Sequence, residues 1–158
     1  MNAFRLHALP HQAFSQLFHL SDDELAARGA LRVVADSRPG FPCRVSLTDA
    51  AIGAELLLLP FVHQPADGPY RASGPIFVAR DAPTAVLAPG EIPSSISSRL
   101  LSVRGYDARH QMLDAEVIDG LQLRAEIERQ FTHPEIRYLH VHNARRGCYA
   151  CRVERWDA

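Results

Sequence analysis

The stretch over residues 136–156, IRYLHVHNARRGCYACRVERW, constrains the fold more than any other part of the chain. Alternate side chains of a strand share a face, so the tyrosine and the two histidines of YLHVH are expected on one side and the leucine and valine on the other. The polar residues that follow end in Gly147, which is typical of a short hairpin loop. The sequence therefore predicts that residues 136–143 and 148–155 pair as an antiparallel hairpin in the main sheet.

The register of this hairpin decides which side chains meet across it. With residues 144–147 as the loop, His142 is expected opposite Tyr149 and His140 opposite Cys151. Directly opposed Cβ atoms lie roughly 4.5–5.5 Å apart, so such pairs interact. A register shifted by one residue places Cys148, instead of Cys151, on the same side of the hairpin as the two histidines. Either register is expected to place a thiol beside an imidazole.

Outside the hairpin the chain is predicted to form short strands and a few helices. Ser21 followed by Glu24 is typical of a capping box that opens a helix, and Gly29 is expected to end that helix. The spacing of apolar residues predicts further helices over residues 10–20 and 120–131. Apolar or alternating runs predict strands over residues 31–36, 44–47, 55–63, 76–79, 100–106 and 112–118.

These elements together indicate the fold class. Strands outnumber helices and are mostly joined by short turns, and no glycine-rich turn from a strand into a helix indicates a nucleotide-binding parallel sheet. The predicted class is α+β: a mainly antiparallel β-sheet with an N-terminal helical segment and one longer helix (about 120–131) packed on the sheet. A length of 158 residues suits a single globular domain, residues 1–158.

The basic residues are of one kind. All 17 are arginine, because the chain contains no lysine. This composition excludes a P-loop nucleotide site and a lysine Schiff base with pyridoxal phosphate. Any anion that a basic side chain holds here must therefore be held by a guanidinium or an imidazole.

Charge and apolar content narrow the partners and the compartment. The formal net charge is −1, so no basic excess indicates nucleic acid or an anionic membrane surface. The longest apolar run, residues 56–62, is too short to span a bilayer, and the beginning of the sequence lacks a signal-peptide core. Three cysteines, an odd number, argue against a disulfide framework, and a cytoplasmic location is expected. A homo-oligomer is compatible with this composition.

Three sequence blocks carry a family resemblance: PGFPCRVSLTDA at residues 39–50, YRASGPIFV at 70–78 and HVHNARRGCYACRV at 140–153. Together with RLLSVRGYDA at 99–108, they resemble a bacterial family known as domain of unknown function 1203. The resemblance covers nearly the whole chain. Because the family label carries no activity, the resemblance implies no catalytic residue.

The resemblance also concerns individual side chains, because family members are similar to this chain at Cys43, His142, Asn143 and Cys148. Cys151 stands where alanine is usual in the family. This difference disfavours any mechanism that needs a second cysteine. A thiol redox motif of the Cys-x-x-Cys kind is disfavoured further, because such motifs place the first thiolate at a helix N-terminus and no helix is predicted here.

A metal site is one candidate chemistry. His140 and His142 with Cys148 and Cys151 supply the ligand types of a zinc site. The two cysteines face opposite ways on a straight strand, so a metal is more simply held by the two histidines and another residue. Histidines that pack and hydrogen-bond on a sheet face are the competing interpretation, and the pattern favours it.

A cysteine nucleophile is a second candidate. Such a thiol needs an imidazole within hydrogen-bond reach, and Cys148 or Cys43 with His142 could meet this requirement. Asn143 would face away from His142 on a strand, so it is a doubtful orienting group. Buried cysteines that act as small apolar side chains are commoner.

An anion pocket is the third candidate. Arg44, Arg71 and Arg104 each lie beside turn residues that expose backbone N–H groups, and guanidinium groups with such amides hold carboxylate or phosphate. Ser73 and Asn143 would complete a site for a small acidic molecule. The sequence slightly favours this binding function, and the alternative is a small enzyme with a Cys/His pair. One concavity is predicted to contain most of a set of side chains: Cys43, Arg44, Arg71, Arg104, His142 and Cys148.

Overall fold

The computed structural model describes residues 3–157, which form two antiparallel sheets with short helices. Three α-helices occur in the described chain: α1 (Asp22–Ala27), α2 (Ser94–Ser97) and α3 (Leu123–Gln130). Short 3-10 helices occupy His11–Ala13, Ser15–His19 and Gly120–Gln122. The strands, numbered in chain order, are β1 (Phe4–His7), β2 (Leu31–Val34), β3 (Glu55–Gln64), β4 (Ala72–Ala79), β5 (Leu100–Tyr106), β6 (Met112–Asp119), β7 (Tyr138–Asn143) and β8 (Tyr149–Arg155).

The strands are divided between a five-stranded sheet of order β1-β8-β7-β5-β6 and a three-stranded sheet of order β2-β3-β4. The predicted α+β class is therefore confirmed, with two sheets where the sequence suggested one main sheet. None of the helices in the described chain is long and apolar enough to cross a membrane.

The predicted C-terminal hairpin is confirmed. β7 and β8 pair antiparallel near the middle of the larger sheet. The loop is closed by hydrogen bonds from Asn143 N to Cys148 O (2.8 Å) and from Gly147 N to Asn143 O (2.7 Å). Gly147 has a φ of 75°, in the left-handed region that a residue without Cβ adopts most easily. A glycine at this position thus allows the chain to reverse within four residues.

The predicted register is correct at only one of its two pairs. His142 lies opposite Tyr149, as predicted, but His140 lies opposite Arg152 and Val141 lies opposite Cys151. The strand pairing is interrupted by a β-bulge, which places one extra residue in β8. The bulge reverses the alternation, so Cys151 joins the apolar core while the histidines remain on the other face. The expectation that either register puts a thiol beside an imidazole is therefore wrong.

The elements that were predicted from patterns of neighbouring residues lie where the sequence predicts them. The capping box at Ser21 is present, since its side chain accepts a hydrogen bond from Glu24 N while the Glu24 carboxylate accepts one from Ser21 N. The longer helix begins as a 3-10 turn and continues as α3. The hairpin of β5 and β6 also lies where alternation predicted it.

Three elements differ from the sequence prediction. Residues 10–20 form two 3-10 helices rather than one amphipathic helix. Residues 44–47 form a turn and not a strand, because Leu47 N bonds back to Cys43 O (3.0 Å) and Leu47 has a φ of 52°. The first strand, β1, was not predicted, since it consists of only four residues and pairs with β8 at the far end of the chain.

Each sheet has its own apolar core. The larger sheet buries one face against α3, where Leu123 and Ile127 pack on side chains such as Val103 and Leu139. The smaller sheet packs on the N-terminal helices through a second cluster of buried apolar residues, which includes Phe14, Phe18, Leu25, Leu57 and Ile76. The two sheets meet through the other face of the larger one, where Gln64 Nε2 donates to the hydroxyl of Tyr138 (2.8 Å).

Gly120 provides a test of this packing. A Cβ built on Gly120 would lie 2.4 Å from the carbonyl oxygen of Ser97 and 2.5 Å from that of Arg99, and backbone atoms cannot move aside. We expect Gly120→Ala to lower the free energy of unfolding by about 3 kcal/mol, measured by urea denaturation. Gly74→Ala is the matched control, because a Cβ there meets nothing within 4 Å, and its effect should stay within about 1 kcal/mol. Equal effects of the two substitutions would contradict this packing.

Candidate functional site

A cavity of about 450 Å³ lies at one end of the larger sheet. The sheet register builds it: β7 ends with Asn143 paired to Leu101, and β6 ends with Asp119 paired to Leu100. These chain ends and the hairpin loop therefore lie side by side. We call this cavity the arginine pocket, and its lining residues are Gly40, Pro42, Arg44, Phe77, Ser98, Arg99, Leu100, Asp119, Asn143, Arg145, Arg146 and Cys148.

Arg44 is the most constrained of the lining residues, with only 2% of its surface exposed. Its Nε donates to the carbonyl of Tyr149 (2.6 Å) and its Nη1 to the carbonyl of Pro42. Burial lowers the pKa of Arg44, and the nearby thiol of Cys148 acts in the opposite direction. An arginine stays protonated in proteins, so a buried positive charge lies beside the pocket. In the described part of the chain no carboxylate forms an ion pair with it.

The other three arginines differ in how they are neutralised. Arg99 forms a bidentate pair with Asp49, at 2.6 Å and 3.3 Å. Arg145 and Arg146 extend from the exposed hairpin loop, and neither forms an ion pair within residues 3–157. With Asp49 and Asp119 as the two carboxylates, four guanidinium groups leave an excess of two positive charges.

Two further predicted residues belong to this pocket. Asn143 and Cys148 flank the hairpin loop, and Asn143 Nδ2 donates to Cys148 Sγ at 3.5 Å. Cys43 lies against a separate void of about 10 Å³ that also touches Arg44 and Asn143. Its sulfur accepts hydrogen bonds from the backbone N–H groups of Ser46 (3.5 Å) and Ala79 (3.3 Å). Cys43 is thus held as a packed side chain within the second core.

A second cluster occupies the face of the larger sheet that meets β3, and we call it the histidine face: His63, His140, His142, Tyr106, Tyr138 and Tyr149. The ring of His63 stacks on Tyr149 with centroids 5.6 Å apart and contacts the edge of His142 at 4.8 Å. His140 and His142 expose 2% and 0% of their surfaces. The interpretation of packed sheet-face histidines describes this arrangement, although His140 Nδ1 has no hydrogen-bond partner among the described residues.

Both ring nitrogens of His142 are engaged. Its Nδ1 lies 2.9 Å from the carbonyl of Gly147, so this nitrogen carries the proton and donates. Its Nε2 lies 3.5 Å from Nη1 of Arg104, which can only donate, so Nε2 accepts. Cys148 lies on the opposite side of the strand, in the arginine pocket. The structure therefore does not bring the imidazole of His142 to either predicted thiol nucleophile.

The buried imidazoles are held in the neutral form. Burial lowers the pKa of His140 to about 3, helped by the charges of His142 and Arg152. Burial also lowers the pKa of His142 to about 3, although the hydrogen bond to Gly147 acts in the opposite direction. Across residues 3–157 no three His, Cys, Asp or Glu side chains are placed to hold a metal ion together. The hypothesis of a metal at His140 and His142 stays a prediction.

The remaining predicted ligand residues lie elsewhere. Arg104 lies beside the histidine face, next to His142, and its Nε donates to the hydroxyl of Ser102 (3.1 Å). Arg71 lies in an exposed turn, within 3.8 Å of the Asp67 carboxylate, and Ser73 is exposed on β4. Of the six side chains predicted to converge, only Arg44 and Cys148 line the arginine pocket, and Cys43 lies at the separate small void. The prediction that one concavity contains most of the six is therefore wrong.

Sequence reasoning missed several pocket residues. Arg145 and Arg146 had a usable signal, since two adjacent arginines in a glycine-ended hairpin loop project together from the end of a sheet. Phe77 had none, because it lies in the smaller sheet and reaches the cavity only where the two sheets meet. Long-range packing thus supplies the part of the pocket wall that Phe77 forms.

The fold and the pocket define a small α+β protein with an arginine-lined cavity at the end of its larger sheet. Residues 40–155 match the model of a family described as protein of unknown function, DUF1203. The chain belongs to this family, which confirms the resemblance seen in the sequence. Neither a curated protein nor a solved structure matches the chain.

The neutral histidines predict an acid-sensitive fold. An unfolded histidine titrates near 6.5, so below that pH the unfolded chain binds protons that the folded chain does not. We expect the free energy of unfolding to fall by roughly 4 kcal/mol between pH 7 and pH 5 from His140 and His142 together. The loss should continue as the pH approaches about 3. Urea denaturation across this pH range measures it.

The substitution His140→Phe separates this effect from other acid effects. It keeps an aromatic ring and removes one titrating group, so about half of the pH dependence should disappear. His19→Asn, at an exposed position on a 3-10 helix, is the control and should keep the wild-type pH dependence. A His140→Phe variant whose stability depends on pH as steeply as the wild type would refute this account.

Proposed function

We propose that the arginine pocket binds a small acidic molecule through its carboxylate or phosphate group. The observation that carries this proposal is Arg44, a guanidinium with 2% exposure beside a cavity and without a carboxylate partner in the described chain. A buried charge without a counter-ion is costly, whereas an anion in the pocket would offset that cost. The unpaired charge is therefore best explained by a ligand that supplies the opposite charge.

The surrounding groups suit the same ligand. Arg145 and Arg146 add two charges at the rim, and Asn143 adds an amide that can donate to an oxygen. Arginine forks match the two oxygens of a carboxylate or phosphate. Arg99 is held in place by Asp49, so one wall of the pocket is preorganised.

A catalytic function for the thiols has no comparable support. Both nitrogens of His142 are hydrogen-bonded, and Cys148 and Cys43 lie away from the histidine face. A nucleophile needs a base within hydrogen-bond reach, and no imidazole lines the arginine pocket. We therefore propose binding alone.

Binding of inorganic phosphate tests this proposal. We expect phosphate to raise the free energy of unfolding saturably at constant ionic strength, by about 2.7 kcal/mol at a hundred times its dissociation constant. The double substitution Arg145→Gln/Arg146→Gln should weaken binding roughly tenfold, because each removed guanidinium loses a charge-assisted contact. Both positions are exposed, so this variant should fold normally. Isothermal titration calorimetry gives the dissociation constants.

Arg109→Gln is the matched control, since Arg109 is exposed in the β5–β6 turn and does not line the pocket. It should bind phosphate like the wild type, and Arg44→Gln should not bind it. The proposal is wrong if phosphate stabilises no more than sodium chloride at the same ionic strength. It is also wrong if the double variant and Arg109→Gln bind equally well.

A further inference from the structure

We infer that the ligand of the arginine pocket is an organic anion with a flat apolar group, such as an aryl phosphate or an aromatic carboxylate. This inference rests on the proposed function and names the class of molecule that the pocket would select. It follows from two properties of the cavity that the charges do not explain, its volume and the chemistry of its uncharged wall.

The volume exceeds what an inorganic anion fills. The cavity measures about 450 Å³, within the range of pockets that take small organic ligands. One water accounts for roughly 30 Å³ of liquid, so a phosphate ion of a few water volumes leaves most of this space unfilled. An anion at Arg44 alone would thus leave room for a further group.

The uncharged wall is apolar. Phe77, Leu100 and Pro42 line the same cavity as the guanidinium groups. The ring of Phe77 packs against that of Phe41, with centroids 5.1 Å apart. Leu100 is 40% exposed although it is a large apolar side chain. A flat apolar group packed between them would remove this surface from water, and aromatic rings gain further from stacking.

The charge of the site favours a single anionic head. The pocket has an excess of two positive charges, which matches one phosphate monoester. Asp119 also lines the pocket, and one of its oxygens already accepts from Leu121 N (2.9 Å). Its carboxylate would repel a second anionic group and so disfavours an extended polyanion.

Calorimetry with matched pairs of ligands tests the inference. Phenyl phosphate and methyl phosphate carry the same head, as do benzoate and acetate, and only one member of each pair has a ring. We expect the wild-type protein to bind the ring-bearing member of at least one pair about tenfold more tightly. The pair that shows the larger gain identifies phosphate or carboxylate as the preferred head.

Substitutions in the apolar wall test whether the preference for the ring-bearing ligand arises in this pocket. Leu100→Ala should reduce the preference for the ring to about threefold or less. Phe77→Leu, which keeps most of the volume, should act in the same direction. Leu113→Ala is the control, because Leu113 is equally exposed on β6 but does not line the pocket.

The outcomes separate this inference from the proposed function. Equal affinity for both members of each pair, with phosphate binding intact and sensitive to Arg145 and Arg146, would overturn the inference and leave the proposed function standing. Absence of binding by phosphate and by all four organic anions would overturn both. A preference for the ring that survives in Leu100→Ala and Phe77→Leu would also overturn the inference, since the ring would then bind elsewhere.

Discussion

The hydrogen bonds of the Arg44 guanidinium fix the geometry on which the pocket depends. Its bonds to the carbonyls of Pro42 and Tyr149 join the turn after Gly40 to the first residue of β8. The same turn is anchored to the smaller sheet, where Arg44 N donates to the carbonyl of Phe77 (3.0 Å). Arg44 therefore links both sheets at the cavity, through its side chain to β8 and through its backbone to β4. Its charge is incompletely compensated, which makes it at once a structural anchor and the strongest indication of an anionic ligand.

The β-bulge in β8 keeps a thiol apart from the imidazoles, although these groups are close together in the sequence. Residues 140–151 contain two histidines and two cysteines, and a regular hairpin would have opposed a thiol to an imidazole. With the extra residue, Cys151 enters the core while the histidines stay on the other face, and Cys148, which precedes the bulge, lies in the arginine pocket. The histidines are thus neutral packing groups with lowered pKa values, and neither of them lines the arginine pocket.

The features that interactions between neighbouring residues determine could be predicted from the sequence. The capping box at Ser21, the hairpin loop at Gly147 and the helix near α3 depend on neighbouring residues, and all three are confirmed. The bulge beside Tyr149 and the pairing of β1 with β8 depend on contacts between distant segments, so alternation alone could not reveal them. The same holds for the site, where the Arg99–Asp49 pair and the position of Phe77 arise only when the sheets meet.

The most direct test of the central claim observes Arg44 itself. In ¹⁵N-labelled protein, the Nε–Hε resonance of Arg44 should be protected from exchange, because this group is buried and bonded to Tyr149. Titration with inorganic phosphate at constant ionic strength should shift this resonance saturably and leave that of Arg109 unchanged. The account would be contradicted if the Arg44 resonance did not move while phosphate bound, or if all arginine resonances shifted alike without saturation.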